Sequence, residues 1–159
     1  MLKATNKTNQ HPGDRELLSD VLRASPRRTG INSGCSIGIC GTCTVLAPDG
    51  PIRSCLVLAR DVDAEQIRTL EDVRETDAGR LIADSFAKCH ALQCGYCTPG
   101  FMMLAADMLE SAEAQSRSSL AELVSGNLCR CTGYEPILEA FTIIATSAGL
   151  ITVGDGGAQ

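Results

Sequence analysis

Apolar residues in the first half of the chain come in short groups separated by turn-forming residues. Leu18, Val21 and Leu22 lie at helical spacing and predict a short amphipathic helix. Short apolar stretches flank the segment Pro48-Asp-Gly-Pro51, which predicts a β-hairpin. The predicted elements are a helix over 14–23 capped by Asp14 and stopped by Pro26, hairpin strands over 43–46 and 52–54, and a closing strand over 65–70.

The second half of the chain changes to a helical period. Apolar residues recur every three or four positions, as in Leu81, Ile82 and Phe86, over four separate stretches. Thr98 and Pro99 mark one helix start, because Thr caps free N–H groups and Pro suits the first helical position. The predicted helices cover 80–93, 98–111, a segment from Ser118 or Ser119 to Gly126 with Glu122 as capping-box partner, and 135–148.

The period changes within a charged stretch at residues 71–78, which we take as a domain boundary. The predicted fold class is α+β, with a mixed α/β domain over residues 1–73, an antiparallel helical domain over 74–148 and a Gly-rich tail over 149–159. Each domain is small and buries little apolar surface. Metal cross-links are therefore expected to contribute to the stability of both.

Composition and charge argue against nucleic acid and membranes as partners. The chain of 159 residues has no Trp, three Phe and two Tyr, too few aromatic side chains for a base-stacking surface. Its net charge is −5, so no broad basic surface is predicted. No stretch is long and apolar enough for a membrane span, and the start lacks the apolar core of a secretory signal. We therefore expect a cytoplasmic protein, whose thiols stay reduced and free to bind metal.

Eight of the nine cysteines fall into two groups of four, and the first group has a familiar spacing. It reads C-x4-C-x2-C with a fourth Cys after eleven residues, which is typical of plant-type 2Fe-2S sites. Glycines in this loop allow left-handed backbone angles and let N–H groups approach the sulfurs. Zinc sites favour closely spaced Cys pairs and match this run less well. The first group is Cys35, Cys40, Cys43 and Cys55, with Gly34, Gly38 and Gly41 in the same loop.

The second group of cysteines lies where predicted helices meet. Its spacing is C-x2-C, then thirty-one residues, then C-x-C. Four thiols at helix junctions fit a metal site, but this spacing alone leaves both structural zinc and an iron–sulfur cluster open. The second group is Cys94, Cys97, Cys129 and Cys131.

Two stretches around the second group resemble the signatures of one known family. They are Gln93-Cys-Gly-Tyr-Cys-Thr-Pro-Gly100 and Gly126-Asn-Leu-Cys-Arg-Cys-Thr-Gly-Tyr134. Both are similar to motifs of the iron–sulfur subunit of molybdenum hydroxylases, which include xanthine dehydrogenase, aldehyde oxidoreductase and aerobic carbon monoxide dehydrogenase. The first group, with Cys40-Gly-Thr-Cys-Thr-Val45 and Ser54-Cys-Leu56, resembles the ferredoxin-type site of that family. The resemblance covers about residues 14–148, with the motifs in the family's order.

The resemblance implies a fold, two cofactors and two partners. The N-terminal domain would be a plant-ferredoxin-like β-grasp and the C-terminal domain a four-helix bundle, each holding a 2Fe-2S cluster. A large subunit would carry molybdopterin cofactor and substrate, and a medium subunit FAD, in a heterotrimer or its dimer. Electrons would pass from molybdenum to the second cysteine group, then to the first, then to flavin. Gln93 and Cys131 would contact the pterin, and no catalytic residue is expected on this chain.

Several residues have no role in this interpretation, and two rival functions stay open. Cys89 is expected in a helix core rather than as a ninth ligand, and His90 as a structural residue. Arg130 either offsets cluster charge or contacts a partner's cofactor. The polar residues 1–13 depart from the family, whose members begin with an apolar hairpin, so one sheet edge is expected to be shortened. A free-standing electron carrier and a zinc-stabilised structural protein are the rival functions, and the substrate cannot be inferred from this chain.

Overall fold

The computed structural model describes residues 15–151. The predictions for residues 1–14, including the Asp14 cap and the shortened sheet edge, and for 152–159 lie outside the described residues. None of the helices in the described range is long and apolar enough to cross a membrane. The elements are α1 (Leu18–Arg23), β1 (Thr44–Ala47), β2 (Gly50–Arg53), α2 (Leu70–Val73), α3 (Asp77–Lys88), α4 (Thr98–Ser111), α5 (Arg117–Ser125) and α6 (Glu135–Ser147), with 3-10 turns at Ser54–Leu56 and Ala59–Asp61.

The predicted hairpin is present, with its strands shifted slightly from the expected bounds. β1 and β2 pair antiparallel from Thr44 opposite Arg53 to Ala47 opposite Gly50, so Pro48 and Asp49 form a two-residue turn. The fourth cysteine of the first group lies just beyond β2, in the 3-10 turn Ser54–Leu56. The hairpin therefore joins the third and fourth cysteines of that group.

The predicted closing strand over 65–70 is wrong. Only a single bridge between Leu46 and Arg68 forms there, with N–H to carbonyl distances of 2.9 and 3.0 Å. The chain then turns into α2, because Thr69 caps this helix in a capping box with Asp72. The Asp72 carboxylate accepts from the Thr69 N–H at 2.8 Å. This local hydrogen bonding outweighs the β propensity of the short apolar run.

Two of the four long helices begin at residues other than those predicted, and a third begins where predicted but with a different cap residue. α3 begins earlier than residue 80, because the Thr76 hydroxyl accepts from the Gly79 N–H at 3.0 Å. α4 is capped by Cys97, and Thr98 is already helical with its hydroxyl buried and unpartnered among the described residues. α5 is capped by Ser116, with Ser119 rather than Glu122 as its capping-box partner.

The helices α3 to α6 enclose the larger of two clusters of buried side chains. Phe86 and Phe141 meet at its centre with ring centroids 6.1 Å apart. The expected core role of Cys89 is confirmed, and the α4 methionines are buried in the same cluster. Each fully buried aromatic or aliphatic side chain stabilises the fold by about 1.5–3 kcal/mol. The methionines are Met102, Met103 and Met108.

The smaller cluster belongs to the first half of the chain. It consists of Leu18, Leu22, Ile31, Cys43, Val45, Cys55 and Ile67. The two halves are in contact, because Leu46 of β1 packs into the larger cluster. At the surface the Arg68 guanidinium donates to both carboxylate oxygens of Glu110 at 2.7 and 2.5 Å. An exposed pair of this kind contributes little to stability, so the Leu46 contact matters more.

Candidate metal centres

The first cysteine group comes together in the loop before β1 and the turn after β2. Cys40, Cys43 and Cys55 are buried, and Cys35 is half-buried. The Cys40 N–H donates to the Cys35 sulfur at 3.4 Å, so these two residues are adjacent. The Cys43 and Cys55 thiols are also close enough to affect each other's protonation. The four thiols therefore lie in two adjacent pairs.

The loop is held around these thiols by its own polar groups. The Thr42 hydroxyl accepts from the Gly34 N–H at 3.2 Å, donates to the Asn32 carbonyl at 2.9 Å and lies 3.2 Å from the Cys40 sulfur. Gly38 and Gly41 adopt φ angles of +79° and +74°, as the sequence predicts, whereas Gly34 does not adopt a left-handed angle. Thr42 was not singled out by its sequence position, since a lone Thr in a Gly-rich loop carries no distinct signal.

The electrostatics of the first group differ between its open and buried sides. Hydrogen bonds from the N–H groups of Cys40 and then Ile37 lower the pKa of Cys35 to about 7. Burial, followed by the neighbouring Cys43 thiol, raises the pKa of Cys55 to about 11. The N–H donors thus stabilise a thiolate at Cys35, whereas a thiolate at Cys55 needs a bound cation.

The second cysteine group lies where α3 meets α4 and α5 meets α6. The sulfurs of Cys94 and Cys131 are 3.5 Å apart, and both residues are exposed. The side chains of Cys97 and Cys129 are neighbours and half-buried. Each pair joins one cysteine of the first junction to one of the second. The described fold therefore brings together residues more than thirty positions apart in the sequence.

Polar groups also surround the second group. The Cys129 sulfur accepts from the Thr132 hydroxyl at 3.1 Å and from the Thr132 N–H at 3.5 Å. Burial would raise the pKa of Cys129, but the Thr132 donors outweigh it and lower this pKa. Burial raises the pKa of Cys97 to about 12. The Tyr134 hydroxyl accepts from the Cys129 N–H at 3.0 Å and fixes the turn. The roles of Thr132 and Tyr134 were not foreseen from the sequence.

The donor chemistry of both groups suits a 2Fe-2S cluster. Each group supplies four thiols, and in such a cluster each iron takes two protein ligands. Structural zinc also takes four thiolates, gathered around one point. The residues present therefore fit the cluster that the family resemblance implies.

Other candidate residues lie near the second group or apart from both. Gln93 and Arg130 are exposed beside Cys94 and Cys131, so both are accessible to a partner. Cys89 is buried at the end of α3 and belongs to neither group. His90 is exposed and adopts a φ of +52°, which ends α3 by a left-handed turn.

Comparison with known proteins points to a single family. Residues 69–142 match the model of a [2Fe-2S] binding domain. The chain is 47% identical over 126 residues to the nicotine 6-hydroxylase small subunit of Paenarthrobacter nicotinovorans, covering 79% of this chain and 76% of that one. It is 40% identical over 125 residues to the xanthine dehydrogenase iron-sulfur-binding subunit of Escherichia coli O157:H7, covering 76% and 77%.

A solved structure shows the same relationship. Quinoline 2-oxidoreductase from Pseudomonas putida 86 contains a chain with a TM-score of 0.75 and 43% identity, covering 86% of this chain and 85% of that one. The mixed helical and small-sheet fold is thus that of iron–sulfur domains in this enzyme class. The sequence relatives and the shared fold together show that the chain belongs to the small iron–sulfur, electron-transfer subunits of the molybdenum hydroxylases.

Proposed function

We propose that this chain holds two 2Fe-2S clusters and relays electrons between a molybdenum site and a flavin on partner subunits. One cluster is held by Cys35, Cys40, Cys43 and Cys55, and the other by Cys94, Cys97, Cys129 and Cys131. The observation that carries this proposal is the gathering of eight thiols into two separate groups of paired sulfurs. When bound, such clusters accept and release one electron at a time. The chain itself supplies the thiolates, the N–H donors around them and the distance between the sites.

We also propose the two-domain arrangement that the family implies. Residues 1–73 form a ferredoxin-type β-grasp domain, residues 74–148 a four-helix bundle, and 149–159 a tail. The two separate clusters of buried side chains support this division. The first residues assigned to the tail still contact the helical domain, since the Gln115 N–H donates to the Leu150 carbonyl at 2.6 Å.

The surface around the two sites supports docking of two partners. Six large apolar side chains between residues 15 and 151 are exposed, with exposed fractions of 46–63%, and each lies within two residues of a proposed ligand. We assign the group beside the first site to the FAD-binding medium subunit and the group beside the second site to the molybdopterin-binding large subunit. Ile37, Ile39 and Leu56 form the first group, and Leu92, Tyr96 and Leu128 the second.

The second site is the more open of the two, which supports its placement next to the molybdenum subunit. Cys94 and Cys131 are exposed, whereas three of the four cysteines in the first group are buried. We propose that the Gln93 amide and the Cys131 sulfur contact the pterin of the partner. Gln93 makes no hydrogen bond within the described part of the chain that would have to break first.

The substrate belongs to the large subunit, and the relatives suggest its chemical class. Nicotine, xanthine and quinoline, which appear in the names of the three relatives compared above, are all nitrogen heterocycles. We propose that the complex oxidises a nitrogen heteroaromatic compound. A panel of these three compounds is therefore the first choice of reductant in the experiment below.

Replacing Gln93 with Ala is expected to slow electron delivery from molybdenum without removing iron. The amide lies outside both thiol groups, so the clusters keep all their ligands, but a contact to the pterin is lost. The assembled complex is purified through a tag on this chain. It is then mixed anaerobically with whichever of the three heterocycles reduces it, and the bleaching of the cluster absorbance is followed over time. The bleaching rate should fall severalfold, whereas reduction by dithionite should be unchanged.

Gln66→Ala is the matched control, because Gln66 is an exposed Gln whose amide contacts only Asp63 at 2.9 Å. If Gln93→Ala lost iron in proportion to its fall in bleaching rate, Gln93 would be a structural residue. That result would contradict the pterin contact. Recovery of a brown chain that never co-purifies with molybdenum and flavin subunits would contradict the subunit role. It would favour the free-standing carrier instead.

A further inference from the structure

We infer that a glycine-on-glycine contact between α4 and the first cysteine loop sets the distance between the two metal sites. Gly100 is then a positioning residue for electron transfer between them. This inference rests on the proposed function and adds a structural basis for the rate of electron transfer between the two clusters. Gly41 lies between Cys40 and Cys43, and Gly100 lies three residues after Cys97. The contact therefore joins the two ligand loops directly.

Gly100 is needed for space rather than for backbone angle. It is buried in the first turn of α4, and its φ is not among the left-handed ones. A Cβ at this position would overlap the Gly41 carbonyl oxygen and would lie 3.1 Å from both the Gly41 carbonyl carbon and the Asn127 amide nitrogen. Because the nearest obstacle is backbone, no rotamer change relieves the overlap. The absence of a side chain lets the loop lie directly against the helix.

Asn127 closes the same contact from the α5–α6 junction. It is 1% exposed, and neither polar atom of its amide has a hydrogen-bond partner among the described residues. An unpaired buried amide costs about 1–3 kcal/mol, so this position is held by packing from its surroundings. A Cβ on Gly41 would overlap the Asn127 side chain. The next residue, Leu128, donates its N–H to the Cys40 carbonyl at 2.9 Å.

Hydrogen bonds on both flanks hold the loops in this arrangement. On one side the Asn32 amide donates to the Tyr96 carbonyl at 2.8 Å, and the Tyr96 hydroxyl donates to the Ser33 carbonyl at 3.0 Å. On the other side the Arg53 guanidinium donates to the Gly126 carbonyl at 2.8 Å. Every one of these groups lies within three residues of a proposed ligand. The loops are thus fixed at the centre and at both edges.

The consequence for electron transfer follows from the position of Cys97. This residue is the N-cap of α4, so a shift of the first helical turn moves its sulfur relative to Cys40. Electron transfer slows steeply as the separation between sites grows. A side chain at position 100 is therefore expected to change the rate of electron transfer between the sites. It should leave each set of four ligands in place.

The test uses Gly100→Ala in the assembled complex, with Gly126→Ala as control. The control residue lies at the same interface, has an ordinary helical φ of −66°, and a Cβ there would meet atoms no nearer than 3.3 Å. In Gly100→Ala we expect full iron content, two cluster signals, a narrower magnetic splitting between the two reduced clusters, and severalfold slower flavin reduction by substrate. Substrate should still bleach the second cluster at the wild-type rate. Full iron with unchanged splitting and unchanged flavin reduction would overturn the inference.

A milder pair of variants decides the question if Gly100→Ala loses a cluster. Tyr96→Phe removes only the flanking hydroxyl bond to Ser33, whereas Thr146→Val removes a hydroxyl bond to the Thr142 carbonyl within α6. We expect Tyr96→Phe to narrow the splitting and Thr146→Val to leave it unchanged. An unchanged splitting in Tyr96→Phe would then overturn the inference. A wild-type protein without iron would instead contradict the proposed function itself.

Discussion

Replacing Cys43 with Ser is expected to remove one of two paramagnetic signals of the reduced protein and half of its iron. Each 2Fe-2S cluster carries two of the four irons, and a hydroxyl is a much weaker ligand than a thiolate. The Cys43 side chain is only 1% exposed and pairs with Cys55, so no nearby water or side chain replaces it readily. The second group shares no ligand with the first, so its signal should remain.

The measurement is electron paramagnetic resonance of the dithionite-reduced protein together with iron analysis and circular dichroism. Cys89→Ser is the matched control, because Cys89 is equally a buried thiol but belongs to neither group. The control should keep both signals and all its iron. If Cys43→Ser lost both signals while its helices stayed intact, the two sites would not be independent.

Stripping the iron with a chelator is expected to loosen the first half of the chain much more than the second. The smaller cluster of buried residues has seven members, and two of them, Cys43 and Cys55, are proposed ligands. Within residues 15–151 the larger cluster has twenty buried members, none of which is a proposed ligand, and Cys97 and Cys129 only pack against it as half-buried residues. In a small domain whose core includes the metal site, the free energy of metal binding contributes directly to the free energy of folding. The helices α3 to α6 should therefore keep most of their stability.

Amide hydrogen exchange of the loaded and stripped chain measures this difference. The Leu18 N–H, bonded to the Val57 carbonyl, reports on the first half, and the amides of α4 and α6 report on the second. Protection should fall at Leu18 and persist in the helix centres. Equal loss in both halves would mean that the helical core also depends on the clusters.

Much of the fold was predictable because its signals are local. The four long helices follow from apolar spacing, and the hairpin follows from its Pro-Asp-Gly-Pro turn. The error over 65–70 arose because a short apolar run was taken as a strand, although Thr69 and Asp72 form a capping box. The start of α5 was misplaced because Ser116, Ser118 and Ser119 all compete for one cap position, and α4 begins as predicted with Cys97 rather than Thr98 as its cap.

The membership of the two cysteine groups was predictable, but their position relative to each other was not. Cysteine spacing indicated the first group, and the residues around Cys94 and Cys129 indicated the second. Nothing local shows that Gly41 and Gly100 meet, because this contact depends on how the two halves pack. The left-handed Ser36, with a φ of +56°, was likewise hidden, since Ser carries no strong preference for this angle.

Metal and sulfide analysis of the purified chain, combined with electron paramagnetic resonance, tests the central claim most directly. Two clusters with two irons and two sulfides each predict four irons and four acid-labile sulfides per chain, with two distinct signals after reduction. The protein should be brown. A colourless chain that contains zinc and no iron would contradict the claim, and both cysteine groups would then be structural zinc sites.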